Sequence, residues 1–285
     1  MLRALMASMK VVRQYQRGEK TFDGFETKSD STIVTACDYA SDEAGKAELR
    51  KIHEVILHGE ESGEEGEGDT IIYLDPLDGT TSFAFGGGTS TVIVAAVEKK
   101  SGEVFHCLVG EPQSGRVWRA SKDTECEFAL FNTSYLKIPK SWHSVHAYRG
   151  ILDGKSRVIL DSCPGFTRQG RTILSTEQLN ALHSHIQEKA GIFMLGSNGL
   201  HHALIANGGK GAVGAITTAI GGAWDVCPVL LVLSAGGVAR AFSRTENGFE
   251  EKNPLCVASY DLVISGNTRE AVDILAGFVL SVVKE

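Results

Sequence analysis

Four strand-like runs follow one another along residues 70–120, and they constrain the fold more than any other feature of the chain. Residues 70–74 are rich in β-branched side chains, residues 89–97 are dominated by Val, Ile and Ala, and two similar runs follow at 104–109 and 116–120. Short apolar runs separated by turn residues are typical of strands that pair with their sequence neighbours. The pattern therefore predicts a β-meander with a buried sheet.

Helical and strand-like segments alternate along the rest of the chain. Before the meander, apolar periodicity predicts helices over residues 1–18 and 41–57. After residue 154 it predicts strands at residues 157–160, 192–195, 211–216 and 259–264, and helices at residues 176–189, 198–206, 225–235 and 268–284. Alternating layers of helix and sheet indicate an α/β (α+β) fold, an αβαβα sandwich. We divide it into an N-terminal half, residues 1–146, and a C-terminal half, residues 147–285.

Two carboxylates stand three residues apart where the first strand of the meander ends. Asp75 follows the β-branched run directly, and Pro76 restricts the turn that leads to Asp78. Hard cations such as Mg²⁺ prefer clustered oxygen ligands, which these two carboxylates and the Leu77 carbonyl can supply. This turn is a candidate metal site.

The residues after Asp78 suit an anion. The backbone amides of Gly79, Thr80 and Thr81 can open a helix, and helix N-termini attract phosphate. A simpler interpretation is an Asp-Pro turn in which Asp78 caps a helix, and this stretch alone does not separate the two.

Three other segments separate them. Residues 28–38 read K-S-D-S-T-I-V-T-A-C-D, residues 59–62 read G-E-E-S, and residues 223–227 read A-W-D-V-C, followed by A-G-G. Together with D-P-L-D-G-T-T-S-F from Asp75, they resemble the inositol monophosphatase family in composition and order. Ser82 stands where that family usually has asparagine. Four short motifs in one order are far more specific than any one of them.

The resemblance implies metal ligands at matched positions. These are Glu60, Asp75, Asp78, Asp225 and the carbonyl of Leu77. Glu60 is preferred to Glu61 because the family uses the first acid of G-E-E-S. The implied cofactor is Mg²⁺, two or three ions per site, with Mn²⁺ as a substitute. Two such ions can clamp a phosphate, activate a water and stabilise the leaving alkoxide.

The resemblance also implies catalytic and substrate-binding residues. Thr80, beside Asp38 and Glu60, would orient the attacking water. The implied substrate contacts are Asp78, Gly79, Thr80, Thr81, Gly196, Ser197, Thr218 and Asp225. The N-terminal half would hold metal and phosphate, and the C-terminal half would complete the substrate site.

The implied reaction is hydrolysis of a small phosphate monoester, with myo-inositol monophosphate as the first candidate. Relatives that cleave 3'(2'),5'-bisphosphate nucleotides usually carry lysine after D-G-T, where this chain has Thr81. Thr218 occupies a position at which inositol monophosphatases have a glutamate that contacts the inositol hydroxyls. A 3'(2'),5'-bisphosphate nucleotidase, or a sugar or histidinol phosphatase, therefore stays an alternative. A non-catalytic relative is disfavoured because all four acids and Thr80 are present.

Charge and cysteine usage narrow the partners and the compartment. A net charge of −7 argues against a nucleic-acid polymer or an anionic membrane as partner. The six cysteines are scattered singly, which predicts free thiols in a reducing compartment. Free thiols favour the cytoplasm, and the family resemblance implies a homodimer that Li⁺ inhibits. The basic residues 1–18 also fit an import signal, but the first helix of the fold is the preferred interpretation.

Two further expectations concern local structure. Residues 59–69 combine six acids with four glycines and nothing apolar, which predicts a mobile acidic loop that becomes ordered around bound cations. His201 and His202 are adjacent in a predicted helix, so their side chains diverge and cannot share one ligand. We predict that both histidines lie on the surface.

Overall fold

The computed structural model describes residues 1–21, 24–28, 32–131, 141–160, 167–168, 171–208, 212–246, 248–257 and 260–283. Within them, the helices are α1 Leu2–Gln16, α2 Ala36–Leu49, α3 Thr80–Ala84, α4 Thr176–Gln187, α5 Asn198–Ala206, α6 Val229–Ser234 and α7 Arg269–Val282. The strands up to residue 144 are β1 Glu26–Thr27, β2 Ile33–Val34, β3 Val55–Gly59, β4 Gly63–Gly66, β5 Thr70–Asp78, β6 Thr91–Glu98, β7 Val104–Glu111, β8 Arg116–Ser121, β9 Glu127–Leu130 and β10 His143–Ser144. The later strands are β11 Arg157–Leu160, β12 Thr167–Arg168, β13 Arg171–Thr172, β14 Gly191–Phe193, β15 Ala212–Thr217, β16 Val238–Thr245, β17 Gly248–Lys252 and β18 Leu262–Gly266.

Two large sheets contain most of the strands. The first has eight strands in the order β10-β9-β8-β7-β6-β5-β3-β4, and its strands β5 to β8 pair antiparallel as the predicted meander. Within this sheet β3 lies parallel to β5. The second sheet has six strands in the order β14-β11-β15-β18-β16-β17, with β11 parallel to both of its neighbours. Two short antiparallel pairs, β1-β2 and β12-β13, complete the described strands.

The helices lie in three layers around these sheets. α1 and α2 pack on the outer face of the first sheet through a core that includes Leu5, Met9 and Leu74. α5 and α6 lie between the sheets and contact both, and α4 and α7 cover the far face of the second sheet. This confirms the predicted αβαβα sandwich.

One buried core joins the two halves. It contains Ile93 and Trp118 from the first sheet together with Ile159 and Val263 from the second. The predicted boundary at residue 146 lies between β10 and β11, the last and first strands of the two sheets. The division into halves stays a prediction.

The predicted helix over residues 41–57 is wrong at its end. α2 stops at Leu49, and the apolar residues Ile56 and Leu57 belong to strand β3. Glu54 has a positive φ of 59°, a conformation that an α-helix cannot continue through. Thr35 starts the helix with a capping box to Asp38, which the apolar periodicity did not reveal.

The predicted loop at residues 59–69 is wrong in part, because Gly63–Gly66 form strand β4. Its mobility in the absence of metal stays a prediction. β4 pairs antiparallel with β3, from Ile56↔Gly66 to Gly59↔Gly63. Gly63 and Gly66 have positive φ, so their conformations suit glycine. Two cations from the C-terminal end of α2 and the residue after it hold the acidic edge, because Arg50 pairs with Glu65 at 2.9 Å and Lys46 Nζ donates to the Gly63 carbonyl at 2.9 Å.

The prediction of surface histidines is contradicted as well. His201 and His202 are both fully buried in α5, which lies between the two sheets. Because the helix is covered on both sides, residues that diverge around it still reach a core. Burial lowers the pKa of His201 to about 3 and that of His202 to about 4. Both side chains are therefore neutral at pH 7.

The cysteine prediction holds for the part of the chain that the structure describes. Cys37, Cys107, Cys126, Cys227 and Cys256 are free thiols there. No helix among the described residues is long and apolar enough to cross a membrane.

Candidate metal and phosphate site

Strand β5 carries the first two acids of the site into the molecule. Asp75 and Asp78 lie at its carboxyl end, where the pairing with β6 shifts register between them. The shift lets both carboxylates depart from strict strand alternation. Asp75 is buried and accepts one described hydrogen bond, from the Leu77 amide at 3.0 Å.

Asp78 ties the end of β5 to the start of α5. Its Oδ2 accepts from the Ser197 hydroxyl at 2.6 Å, the Thr91 hydroxyl at 2.7 Å and the Gly199 amide at 2.7 Å. Its Oδ1 accepts from the Asn198 amide at 3.0 Å. The carboxylate therefore caps a helix of the other half of the chain, which favours its charged form.

Asp225 lies in the segment that connects β15 to α6. Its Oδ2 accepts from the amides of Gly221 at 2.8 Å and Gly222 at 2.9 Å, and its Oδ1 accepts from the Asn198 side chain at 3.0 Å. The predicted helix from residue 225 is wrong at its start, because α6 begins at Val229 after Pro228. Asp225 lies instead in the preceding turns, where its carboxylate is free to face β5.

The structure brings Asp75, Asp78 and Asp225 together. One carboxylate oxygen of each lies within 4.8 Å of the other two, and all three residues are buried. Burial raises the pKa of Asp75 well above its usual value, with further contributions from Glu60, Asp78 and Asp225. Burial likewise raises the pKa of Asp78, and it raises that of Asp225 to about 6. The described donors to these carboxylates are all neutral, so the cluster suits a divalent cation, which would relieve the repulsion.

Glu60 lies beside this cluster and forms ion pairs with a lysine. β3 and β5 are parallel and their pairing ends at Gly59 and Leu74, so Glu60 and Asp75 are the next residue on each side. The Glu60 amide donates to the Leu74 carbonyl at 3.0 Å. Lys28 Nζ lies 3.1 Å from Glu60 Oε1 and 2.6 Å from Glu61 Oε1. Burial raises the pKa of Glu60 to about 7, opposed by Lys28 and supported by Glu61 and Asp225. The role of Glu60 as a metal ligand stays a prediction.

Thr80, Asp38 and the Leu77 carbonyl converge as the motifs imply. The Thr80 hydroxyl lies 2.8 Å from Asp38 Oδ1 and 2.9 Å from the Leu77 carbonyl oxygen. Asp38 Oδ2 accepts from both the amide and the hydroxyl of Thr35, at 2.8 and 2.6 Å. Residues 29–31, in the middle of the same motif, lie outside the described part of the chain.

The turn after Asp78 requires glycine. Gly79 has a φ of 92°, and α3 begins directly after it with Thr80 and Thr81. A Cβ on Gly79 would lie 2.9 Å from the carbonyl oxygens of both Gly196 and Thr89. The predicted phosphate turn and the predicted Gly196-Ser197 turn are therefore in direct contact.

The remaining predicted contacts lie on the side of the second sheet. Ser197 caps α5 and binds Asp78, as described above, and Gly196 precedes it with a φ of 71°. Thr218 is buried directly after β15. Trp224 packs on His58 and Tyr73, with ring centroids 5.6 and 6.1 Å apart.

Three residues of the site carried no assigned role in the sequence. Lys28 begins the first motif, and that position was a signal that it belongs to the site. Thr91 and Asn198 bind the carboxylates, but no motif marks them. Their roles depend on contacts across 13, 27 and 120 residues of chain.

Comparison with known proteins agrees with this geometry. The inositol monophosphatase family matches residues 2–277 of the chain. The SuhB structure from Bartonella henselae superimposes with a TM-score of 0.77 at 18% identity, covering 98% of this chain and 96% of that one. The IMPase structure from Thermotoga maritima gives a TM-score of 0.73 at 21% identity, covering 99% and 97%. At these low identities, the superpositions show a shared fold.

Curated relatives are phosphatases or carry the SuhB name. Nus factor SuhB of Pseudomonas aeruginosa is 28% identical over 85% of this chain and 81% of its own length. Histidinol-phosphatase of Streptomyces coelicolor is 35% identical over 34% of this chain, and the match spans only 38% of that protein. The bifunctional phosphatase IMPL2 of Arabidopsis thaliana is 24% identical over 92% of this chain and 69% of its own length.

The family match over residues 2–277 defines the class of this chain as a phosphatase family that depends on metal ions. The chain belongs to the inositol monophosphatase family.

Proposed function

We propose that this protein hydrolyses a small phosphate monoester with Mg²⁺ held by Asp75, Asp78 and Asp225, assisted by Glu60 and the Leu77 carbonyl. The observation that carries the proposal is the buried trio of carboxylates, whose oxygens lie within 4.8 Å of one another. Such a cluster is unfavourable without a counter-ion, and a hard cation prefers oxygen donors. Two or three Mg²⁺ per site, with Mn²⁺ as a substitute, follow from family membership.

When bound, the metal ions neutralise the phosphate, lower the pKa of a water and stabilise the departing alkoxide. The protein's own residues position the reactants. The Thr80 hydroxyl can donate its proton to Asp38, which leaves its oxygen free to accept a hydrogen bond from the attacking water. Asp38 is itself fixed by two bonds from Thr35, so the acceptor does not move. The amides of Gly79, Thr80 and Thr81 face the phosphate in this proposal.

Myo-inositol monophosphate is the first proposed substrate. Family membership and Thr81 after D-G-T support it. The alcohol would lie near Gly196, Ser197 and Thr218, beside Asp78 and Asp225. The Thr218 hydroxyl can bind a polyol, but it cannot make the charge-assisted contact, worth about 1.5–3 kcal/mol, that a glutamate would make.

Histidinol phosphate is the second proposed substrate. Two observations favour it. Thr218 lacks the inositol-binding carboxylate, and a histidinol-phosphatase is a curated relative with 35% identity over 34% of this chain. A cytoplasmic homodimer and inhibition by Li⁺ belong to the same proposal and are supported by family membership.

Phosphate release from a panel of esters tests the function. The panel contains myo-inositol 1-phosphate, histidinol phosphate, 3'-phosphoadenosine 5'-phosphate and a hexose phosphate, each with Mg²⁺ and with a chelator. We expect Mg²⁺-dependent release from one of the first two, and loss of release by at least about a hundredfold in Asp225→Asn. Release that is the same in the chelator would contradict the metal mechanism, and no release from any ester would favour a non-catalytic relative.

A further inference from the structure

Two hydroxyl groups connect α3 to the turn before α5. Ser82 Oγ lies 2.7 Å from Thr89 Oγ1, and Thr89 Oγ1 lies 2.6 Å from the Leu195 carbonyl oxygen. A carbonyl oxygen only accepts, so Thr89 donates its single proton to Leu195. Ser82 must therefore donate to Thr89. The direction of this hydroxyl relay, Ser82 to Thr89 to Leu195, is fixed by the chemistry of its last member.

The relay joins segments that are distant in the chain. Ser82 belongs to α3, which follows the predicted phosphate turn. Leu195 lies 106 residues beyond Thr89, just after β14, an edge strand of the second sheet. The same three segments touch through their backbones, because a Cβ on Gly79 would lie 2.9 Å from both the Thr89 and Gly196 carbonyl oxygens. The hydroxyls thus secure a contact that is already close.

The segment that follows Leu195 is anchored at its other end by an acid of the metal cluster. Asp78 accepts from the Ser197 hydroxyl and from the amides of Asn198 and Gly199. Gly196 lies between the two anchors, with a φ of 71°. The relay and Asp78 therefore determine together where this turn lies.

We propose that Thr89 is a positioning residue for the substrate-facing turn at Gly196 and Ser197, with Ser82 orienting its hydroxyl. The proposal rests on the proposed function, in which this turn contacts the alcohol of the phosphate ester. Ser82 stands where the family pattern has asparagine, and here its hydroxyl is the first donor of the relay. The described hydrogen bonds of the Thr89 hydroxyl go to Ser82 and to the Leu195 carbonyl, so it acts on substrate affinity through that carbonyl.

The relay makes an ordered prediction for three variants. Thr89→Val keeps the shape of the side chain but removes the hydroxyl that donates to the Leu195 carbonyl. Leu195 is only 8% exposed. We expect the KM of the best substrate to rise about tenfold with kcat changed by no more than about twofold, since a buried acceptor loses its partner. Thr89→Ser keeps the hydroxyl and should restore the wild-type KM. Ser82→Ala leaves the Thr89–Leu195 bond in place and should raise KM by a smaller factor, about threefold.

Hydrogen exchange of the amides at residues 195–199, measured on the Mg²⁺-loaded protein, provides a readout that needs no turnover. We expect faster exchange there in Thr89→Val and protection like wild type in Thr89→Ser.

An unchanged KM and unchanged exchange in Thr89→Val would overturn the proposal, as would a Thr89→Ser variant as impaired as the valine. If Thr89→Val does not fold, Ser82→Ala decides by the same two readouts, and no change in either overturns it. If wild type releases no phosphate from any ester, the proposed function fails, while the exchange experiment still tests the relay.

Discussion

At the scale of single residues, the three carboxylates of the cluster differ in how their charge is supported. Asp78 accepts four described hydrogen bonds, Asp225 accepts three and Asp75 accepts one. Because backbone and hydroxyl donors favour the ionised form, Asp78 contributes to the fold as a helix cap. Asp75 has little such support, so the electrostatic cost of the metal-free cluster falls mainly on it.

This difference predicts opposite effects of two matched variants. Asp75→Asn removes a buried charge beside three other acids, so we expect the free energy of unfolding to rise in the absence of metal. Asp78→Asn deprives the donors at the start of α5 of a charged acceptor. We expect the free energy of unfolding to fall by about 1.5–3 kcal/mol. Urea denaturation in a chelator measures both. Destabilisation by Asp75→Asn comparable to that of Asp78→Asn would show that repulsion does not dominate the cluster. Both variants should lack Mg²⁺-dependent turnover.

The raised pKa values of Glu60 and Asp225 predict a pH dependence. Their folded values are about 7 and about 6, against reference values of 4.5 and 3.8. At these two carboxyls the folded, metal-free protein therefore binds more protons than the unfolded chain between about pH 4 and 7, so their contribution to stability falls as the pH rises through that window. Mg²⁺ competes with these protons, so its stabilising effect should grow with pH. The buried His201 and His202, whose pKa values are lowered, contribute in the opposite direction.

Thermal unfolding from pH 5 to 8, with and without Mg²⁺, measures both effects. The metal-free midpoint should fall with rising pH relative to the Mg²⁺-loaded one. A Mg²⁺-induced shift that is equal at pH 5.5 and pH 8 would contradict the assignment of these carboxyls.

At the scale of elements, the junction of β5 and α3 depends on the conformation of one glycine. Gly79 has a positive φ and no room for a Cβ, whereas Gly86 has a φ of 79° and nothing within 4 Å of a Cβ position. Gly86→Ala is therefore a matched control that carries only the backbone cost, about 1 kcal/mol.

We expect Gly79→Ala to cost clearly more stability than Gly86→Ala and to abolish turnover, because the Thr89 and Gly196 carbonyls must move apart. Denaturation midpoints and phosphate release of the two variants provide the measurement. Equal losses in stability would mean that the close approach at Gly79 relaxes without cost.

Elements with a distinct local signal were predictable. β11 and α5 have the predicted bounds, since β-branched residues form one and Ser197 caps the other. The end of α2 was missed because the apolar residues of β3 continue its periodicity by chance. A turn through residues 50–54, with a positive φ at Glu54, separates the two elements. The hairpin of β3 and β4 was missed because its order comes from Lys46 and Arg50 on another element.

At the scale of the whole molecule, the site is assembled where the two sheets meet through α5. β5 of the first sheet supplies Asp75 and Asp78. Asp225 comes from the segment that connects β15 of the second sheet to α6. Asn198 contacts acids of both, through its amide and its side chain. The motifs identified the acids because each motif has an acid at a fixed position in the sequence. They did not identify Asn198 or Thr91, nor the burial of His201, because those depend on how the layers pack.

The most direct test of the central claim is where a divalent cation binds. A crystal soaked in Mn²⁺ and phosphate should show anomalous density bridging carboxylate oxygens of Asp75, Asp78 and Asp225, and a Mg²⁺ crystal should show metal–oxygen distances of about 2.0–2.1 Å. Phosphate should lie between that density and Thr80. Metal bound elsewhere, with the three carboxylates still contacting only their neutral donors, would contradict the account.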